Sequence, residues 1–290
     1  MGRMVEVADT RLYIEERGEL SAFPLLVFHG GPGLDHTMFG DHLDPLTEEG
    51  RYRLVLVDDR ACGRSDRMPW RETWMLGRMA QDVSDLAACL GVSGRYATLG
   101  HSYGAFVVLQ HALDHPREPR GTIVSAGIAA ARWLEEVDRP PTAFEPAELR
   151  EQVTLSWARE TGIQTEDEAA APLADQMPFH FQEPRGAAFG EVPAPDRRGR
   201  PPQARHYPPF PVRGCGAVDV EDRLAGVSHP VLVLLGRYDR ACAVGASLDM
   251  ARRLPDAELV VFENSAHTVF VEEQDRYLAA VRQFLDRIIG

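Results

Sequence analysis

Short apolar segments recur along the chain, and helical patterns separate most of them. The segments lie at residues 25–28, 54–57, 97–99, 122–124, 231–235 and 259–262 and contain few polar residues. Continuous apolar runs of this length are typical of strands buried on both faces of a parallel sheet. Strands that alternate with helices predict an α/β protein, with a mostly parallel, doubly wound sheet that helices cover on both faces.

Apolar residues at three- and four-residue spacing predict helices at residues 73–90, 103–115, 247–254 and 272–289. The last helix would bury Tyr277, Val281 and Phe284 along one stripe. The first residues, 4–16, alternate in polarity instead. We expect them to form an antiparallel hairpin at the sheet edge.

The alternation of strands and helices stops between residues 128 and 226, which contain more than half of the 21 prolines. A helix is predicted at 146–160, and 183–211 is predicted to be irregular. We expect 128–226 to be an inserted, largely helical cap between two parts of a catalytic domain, residues 1–127 and 227–290. The alternative is a disordered linker, but such segments are poor in aromatic residues. This one contains Trp133, Phe144, Trp157, Phe179, Phe181, Phe189, Tyr207 and Phe210.

Charge and composition exclude several classes of function. The formal net charge is −13, which disfavours nucleic acid or an anionic membrane as partner. All 31 basic residues are arginines, so lysine Schiff-base chemistry and a P-loop lysine are excluded. The four cysteines are scattered without a C-x-x-C pair, which gives no support to a metal site or a disulfide framework.

The N-terminal residues carry charges throughout and lack the apolar core of a signal peptide. No apolar run approaches the roughly 20 residues that a membrane-spanning helix needs. We therefore expect a cytoplasmic protein that is not bound to a membrane. The oligomeric state stays open.

Residues 100–104 read Gly-His-Ser-Tyr-Gly and lie between a predicted strand and a predicted helix. In this context G-x-S-x-G forms a sharp turn that exposes the serine, and small flanking residues let strand and helix approach closely. Serine needs a base to take its proton before it can attack a carbonyl carbon. Ser102 is therefore the candidate nucleophile, and the alternative is a glycine turn with an incidental serine.

Two polar residues follow predicted strands nearer the C-terminus. Asp239 comes after the strand at 231–235, and His267 comes after the strand at 259–262. The carboxyl ends of parallel strands share one sheet edge, where ligands bind, and the order serine, acid, histidine suits this elbow. We expect Asp239 to orient His267 and His267 to act as general base. No other histidine of the ten lies both after Asp239 and at a strand end.

A glycine-rich turn, residues 29–33, follows the strand at 25–28. Backbone N–H groups that stabilise an oxyanion need a chain without side chains at the point of approach. We expect Gly31 to supply one donor and Tyr103, the residue after the nucleophile, to supply the other. The alternative is a turn that only joins a strand to a helix.

Four segments together resemble the proline iminopeptidase family of α/β-hydrolases, including its relatives that act as tricorn-associated aminopeptidases. The segments read HGGPG at 29–33, DDRACGRSD at 58–66, GHSYG at 100–104 and GRYDRAC at 236–242. The similarity covers both ends of the chain, about two thirds of it, and fades through 128–226. It implies the α/β-hydrolase fold and the removal of an N-terminal residue, often proline, from a small peptide or amide.

Departures from the family pattern weaken the substrate assignment. The usual DQRG reads Asp58-Asp59-Arg60-Ala61, and Ala243 replaces the proline after the cysteine of the acid loop. In the family, cap glutamates bind the free amine of the substrate. Glu160 and Glu183 are candidates because aromatic residues lie near them in the sequence, although either carboxylate could be an ordinary surface residue.

The candidate residues support hydrolysis through an acyl-enzyme, with no metal or cofactor required. Because the resemblance points to amides, we expect a small-molecule or short-peptide substrate. A hydrolase of small esters, lactones or thioesters is the alternative, since the same residues attack any accessible carbonyl. A ligand-binding protein without activity is a third possibility. All three proposed catalytic residues lie outside 128–226, so we expect that segment to affect substrate selection more than catalysis.

Overall fold

The computed structural model describes residues 2–31, 34–66, 75–134, 145–160, 174–186, 188–189 and 218–290. The strands are β1 (Gly2–Val7), β2 (Thr10–Arg17), β3 (Phe23–Phe28), β4 (Tyr52–Val57), β5 (Ala97–His101), β6 (Gly121–Ser125), β7 (Val231–Gly236) and β8 (Ala257–Phe262). The α-helices are α1 (Leu76–Cys89), α2 (Tyr103–Asp114), α3 (Ala147–Glu160), α4 (Val244–Arg253), α5 (Val269–Glu272) and α6 (Gln274–Ile289).

The strands form an eight-stranded sheet in the order β1-β2-β4-β3-β5-β6-β7-β8. Strands β1 and β2 form an antiparallel hairpin, and β2 pairs antiparallel with β4. Every other pairing is parallel. The structure confirms the mostly parallel sheet, the edge hairpin and all six strands predicted from apolar runs.

Helices cover both faces of the sheet and form two separate apolar cores. Alternate residues of β3 divide between them: Leu26 and Phe28 face one core, whereas Leu25 and Val27 face the other. The first core lies beneath α1, α2 and α4, and the second lies beneath α6. This double burial explains why the strands have no polar alternation, and it confirms the doubly wound arrangement.

The prediction that all six apolar strands are buried on both faces is wrong for β8. Most of its residues are only partly buried, and Leu259 is 37% exposed. Strand β8 lies at the end of the sheet and has β7 as its single neighbour. An edge strand has no further strand to cover its outer side, so an apolar sequence alone does not reveal its position.

Residues 128–226 connect β6 to β7, and the two ends of this segment lie side by side. Ala130 forms an isolated antiparallel bridge with Asp219, and the Val220 N–H donates to the Ala129 carbonyl over 2.8 Å. Arg132 and Glu221 form an ion pair at 2.9 Å just beyond this bridge. The predicted helix at 146–160 is confirmed as α3, whereas most of the predicted irregular stretch 183–211 lies outside the described residues.

The direction in which strands are added reverses between β3 and β5. Strand β4 lies on one side of β3 and β5 lies on the other, so a topological switch point falls at their carboxyl ends. Phe28 pairs with Gly100, and Gly236 pairs with Phe262. This register brings the turns that follow β3, β5, β7 and β8 to the same edge of the sheet.

Candidate active site

Ser102 occupies a strained turn between β5 and α2. Its backbone has φ 54° and ψ −114°, a left-handed conformation that residues with a side chain rarely adopt. The Ser102 N–H donates to the Ser125 carbonyl at 2.9 Å, and its own carbonyl accepts from Ala105 N–H at 3.0 Å. Strain of this kind persists only where the surroundings hold the backbone in place, and it is concentrated at functional sites.

The two glycines of the elbow allow the strand, helix and neighbouring turn to cross closely. A Cβ atom on Gly100 would lie 2.1 Å from the Gly104 carbonyl oxygen. A Cβ atom on Gly104 would lie 2.3 Å from the Phe28 carbonyl oxygen. Both atoms are backbone and cannot swing aside, so alanine at either position would displace Ser102 from the sheet edge.

Asp239 and His267 meet at the ends of β7 and β8. The distance from His267 Nδ1 to Asp239 Oδ2 is 2.9 Å, and both side chains are almost completely buried. The other carboxylate oxygen accepts the N–H groups of Ala241 at 2.8 Å and Cys242 at 2.9 Å. The carboxylate is therefore fixed, and it holds the imidazole with the proton on Nδ1 and a lone pair on Nε2.

The structure gives no hydrogen bond between the Ser102 hydroxyl and His267, although it describes both residues. Their turns are linked through His101, whose ring centroid lies 4.9 Å from that of His267. Catalytic hydrogen bonds are often long in enzymes without substrate and shorten in the complex.

His101 is the histidine that could compete with His267 for the role of base. It is fully buried, its Nδ1 lies 3.3 Å from Ser125 Oγ, and its Nε2 has no hydrogen-bond partner. Burial, together with the neighbouring His267 and His180, holds the pKa of His101 well below its ordinary value. His101 therefore stays neutral, whereas His267 has the carboxylate that a base requires.

The turn after β3 lies against the elbow, as the oxyanion prediction requires. A Cβ atom on Gly30 would lie 3.2 Å from Ser102 Cβ, and the Gly30 N–H already contacts Met38 Sδ at 3.0 Å. Gly31 is exposed and has φ 122°, which only glycine adopts readily. Tyr103 begins α2, whose first N–H groups point out of the helix end. Pro32 and Gly33 lie outside the described residues.

Four charged residues of the 58–66 motif bind partners elsewhere in the chain, and Asp58 also binds one within the motif. Asp58 binds His36 and accepts the Arg64 N–H. The buried Arg60 binds Asp82 at 2.5 and 2.6 Å. Arg64 contacts the Tyr13 hydroxyl, and Asp66 binds Arg11 at 2.9 Å.

Asp59 differs from these residues because the burial of its carboxyl group is only partly compensated. It is 4% exposed, and Oδ2 has no hydrogen-bond partner. His29 lies nearby but accepts the Asp59 N–H at Nε2, so its proton is on Nδ1, 2.7 Å from the Gly30 carbonyl oxygen. His29 Nε2 also lies 3.8 Å from Asp59 Oδ2. Attraction to His29 and Arg60 opposes the effect of burial, but burial is the larger effect and raises the pKa of Asp59 to about 6.

Among the described residues, Asp35, His36 and Asp58 place three potential metal-ligand atoms within 4.8 Å of one another. His36 Nδ1 lies 2.6 Å from Asp58 Oδ1, and Nε2 lies 3.5 Å from Glu15. Burial acts to lower the pKa of His36, but the hydrogen bonds to Asp58 and Glu15 outweigh it and raise the pKa to about 9. A protonated imidazole has no lone pair for a metal, so this cluster fits an ion pair.

A residue of the inserted segment lies directly against the candidate base. The His180 carbonyl accepts the N–H groups of His267 at 3.0 Å and Thr268 at 3.3 Å, together with the Thr268 hydroxyl at 3.2 Å. The His180 ring centroid lies 5.1 Å from that of His267. The imidazole of His267 is therefore in contact with His180 as well as His101.

The next two residues of the insertion continue these contacts. The Phe181 carbonyl accepts from Arg240, the neighbour of Asp239, at 2.7 Å. The Gln182 N–H donates to Glu272 at 2.6 Å, and Glu272 also accepts the Ala266 N–H at 2.8 Å. Residues 180–182 therefore bind the acid loop and the base loop together. The expectation that the insertion affects substrate selection more than catalysis does not take these contacts into account.

The carboxylates predicted to bind a substrate amine are not brought to the catalytic residues by any described contact. Glu183 is exposed, and no hydrogen bond or ion pair joins it to Ser102, Asp239 or His267 among the described residues. Glu160 is the last residue of α3, and its side chain lies outside what the structure describes. Their roles stay predictions.

The fold defines the class of protein to which the chain belongs. Residues 24–274 match the alpha/beta hydrolase fold family, and the chain belongs to that family.

Comparisons with known proteins confirm the resemblance to proline iminopeptidases. The proline iminopeptidase of Saccharolobus solfataricus is 27% identical over 282 residues, covering 91% of this chain and 85% of that protein. The similarity therefore extends beyond the two thirds of the chain inferred from motifs. The crystal structure of the Mycobacterium smegmatis proline iminopeptidase superposes with a TM-score of 0.75 at 23% identity, covering 99% of this chain and 98% of that chain.

An esterase has a similar fold. The esterase from Exiguobacterium antarcticum superposes with a TM-score of 0.72 at 20% identity, and the match covers each chain completely. No helix within the described residues is long and apolar enough to cross a membrane. The cytoplasmic location stays a prediction.

Proposed function

We propose that this chain is a serine hydrolase that cleaves a small amide or peptide and releases an N-terminal residue such as proline. The 2.9 Å hydrogen bond between His267 and Asp239 carries the proposal. It joins two strand-end residues beside a strained serine, in the chain order that the nucleophile elbow requires. The similarity to proline iminopeptidases over 91% of the chain supports the amide substrate.

The proposed reaction proceeds through an acyl-enzyme. Ser102 Oγ attacks the substrate carbonyl carbon while His267 Nε2 takes its proton, and Asp239 stabilises the imidazolium that forms. The N–H groups of Gly31 and Tyr103 bind the oxyanion. His267 then donates its proton to the leaving amine, and water activated by the same histidine releases the acyl group.

Substitution of the nucleophile tests the mechanism. We expect Ser102→Ala to lower turnover of an activated aryl ester by about 10⁴-fold or more, because the triad acts as one unit. Labelling by a fluorophosphonate probe should disappear in the same variant, while its thermal unfolding stays close to that of the wild type. An alanine variant with near-wild-type turnover would exclude Ser102 as nucleophile, and a wild type without turnover would favour a ligand-binding protein.

The free α-amine tests the substrate class. An ammonium group buried beneath the insertion would need a carboxylate partner, because an unpaired buried charge costs several kcal/mol. Glu160 and Glu183 are the proposed partners. We expect kcat/KM for proline or alanine arylamide to exceed that for its N-acetylated form by about a hundredfold, which corresponds to a discrimination of about 3 kcal/mol.

Hydrolysis of a small ester, lactone or thioester is the second candidate. Within the described residues, two carboxylates that contact His267 or its neighbours in the loop are already engaged: Asp239 binds the imidazole, and Glu272 accepts three hydrogen bonds. A neutral ester needs no carboxylate partner, which favours this alternative. Equal rates for the free and the acetylated arylamide would support it over the aminopeptidase.

We further propose the division into catalytic segments 1–127 and 227–290 and a cap at 128–226. Packing of α3 supports it, because Leu149 and Val153 of that helix form an apolar cluster with Phe179 beside Ala241 and Ala243 of the acid loop. We propose that this enzyme acts on small molecules or short peptides in the cytoplasm. Its net negative charge disfavours nucleic acid or an anionic membrane as partner.

A further inference from the structure

Glu272 connects the inserted segment to the loop that carries His267. Its Oε1 accepts the Gln182 N–H at 2.6 Å, and its Oε2 accepts the Ala266 N–H at 2.8 Å and the Thr268 hydroxyl at 3.3 Å. The side chain is partly buried, and burial raises the pKa of Glu272 although these donors oppose the change. Both oxygens are thus occupied by donors from two distant parts of the chain.

The bonded residues are the immediate neighbours of the candidate base. Ala266 and Thr268 flank His267, and both are tied to Glu272. The His267 N–H itself donates to the His180 carbonyl, two residues before Gln182. Every residue from 266 to 268 is therefore hydrogen-bonded either to Glu272 or to the insertion.

We infer that Glu272 and residues 180–182 act together to position His267 for proton transfer, with Glu272 as a positioning residue of the reaction. The inference rests on the proposed serine hydrolase function. Displacement of a reacting group by about 1 Å can lower a rate about a hundredfold. The insertion then contributes to catalysis through the base as well as to the choice of substrate.

Substitution Glu272→Gln tests this role. Glutamine has one oxygen and one NH₂ group, so the NH₂ group would face an N–H donor from either Ala266 or Gln182. We expect the loop to shift and kcat to fall by about 10- to 100-fold. KM should change by less than about threefold, because the described hydrogen bonds of Glu272 go to the insertion and to the loop of His267 and not to Ser102, Gly31 or Tyr103.

Glu221→Gln is the matched control. Glu221 joins the two ends of the insertion beside the Ala130–Asp219 bridge, where it accepts from Arg132 at 2.9 Å and from Trp133 Nε1 at 3.3 Å. It resembles Glu272 in being a carboxylate that fastens the insertion, but it touches neither the acid loop nor the base loop in the described contacts. We expect Glu221→Gln to lower the melting temperature and to leave kcat unchanged.

Two readouts separate positioning from a general loss of stability. The acidic limb of the kcat/KM profile should move to lower pH in Glu272→Gln, because an imidazole that leaves its carboxylate gains a proton less readily. The low-field NMR signal of the His267 Nδ1 proton, assigned by its loss in His267→Gln, should broaden or shift. This signal needs no turnover, so it tests the inference even if the wild type proves inactive.

Gln182→Pro provides a second variant in case Glu272→Gln does not fold. It removes the N–H that binds Glu272 and leaves that carboxylate in place, so we expect the same changes on a smaller scale. Retention of kcat within twofold in the folded variants, with an unchanged pH profile and an unchanged NMR signal, would overturn the inference. An equal loss of kcat in Glu221→Gln would overturn it as well.

Discussion

Replacing Asp59 with asparagine should stabilise the protein, and more so at high pH. The carboxyl group is 4% exposed, Oδ2 has no partner, and burial raises its pKa from 3.8 to about 6. Between these values the native state keeps a proton that the unfolded chain has lost, so the free energy of unfolding falls as pH rises. The difference of about 2 pH units corresponds to about 3 kcal/mol above pH 7. Asparagine has no proton to lose and avoids this cost.

Urea unfolding of both proteins between pH 5 and pH 8 measures the effect. Other titrating groups contribute equally to the two proteins, so the difference in unfolding free energy isolates Asp59. We expect Asp59→Asn to gain about 1–2 kcal/mol relative to the wild type between pH 5 and pH 8. The absolute gain will be smaller than 3 kcal/mol if the new amide is itself incompletely hydrogen-bonded.

The adjacent aspartate provides a control with the opposite expectation. Asp58 accepts from the N–H and Nδ1 of His36 and from the Arg64 N–H. Asp58→Asn leaves the protonated, buried His36 with Glu15 as its remaining carboxylate partner. It should lower the unfolding free energy by about 1.5–3 kcal/mol, the usual contribution of a hydrogen bond to a charged group. A gain for Asp59→Asn that does not change with pH, or a loss of stability at pH 8, would refute the claim that burial destabilises the Asp59 carboxylate in the native state.

Four further substitutions test the site, the elbow and helix α1. His267→Ala should match the loss of aryl-ester turnover in Ser102→Ala, whereas His101→Ala should lose less; an equally inactive, stable His101 variant would contradict the choice of base. Gly104→Ala should abolish activity or soluble expression, since its Cβ would lie 2.3 Å from a backbone oxygen. Gly77→Ala has no atom within 4 Å of the new Cβ and should stabilise α1 by up to about 1 kcal/mol, measured by thermal unfolding.

Local patterns predicted most of the sheet and the proposed triad. Apolar runs mark strands, and residues just past the ends of parallel strands share an edge, so the meeting of Asp239 with His267 could be expected before its distance was known. The exposure of β8 could not be expected from the sequence, because whether a strand lies at the edge depends on which strands pair.

The contacts of His180 and Glu272 were also missed, for a related reason. His180 lies in a proline-rich segment without periodicity, and its partners are almost 90 residues away in the sequence. Glu272 gives only the signal of an acidic residue at the start of a predicted helix. No local pattern distinguishes a carboxylate that holds a loop from one that faces solvent.

The narrow neck at Ala130 and Asp219 makes the length of the insertion thermodynamically unimportant. Closure of a flexible loop costs entropy that grows only with the logarithm of its length, so 20 additional residues in a loop of this size would cost about 0.2 kcal/mol. Segments can therefore be gained or lost inside the neck with little effect on the sheet. The contacts of residues 180–182 limit such changes in length, because a lengthened or shortened insertion must still place these three residues against the loop of His267.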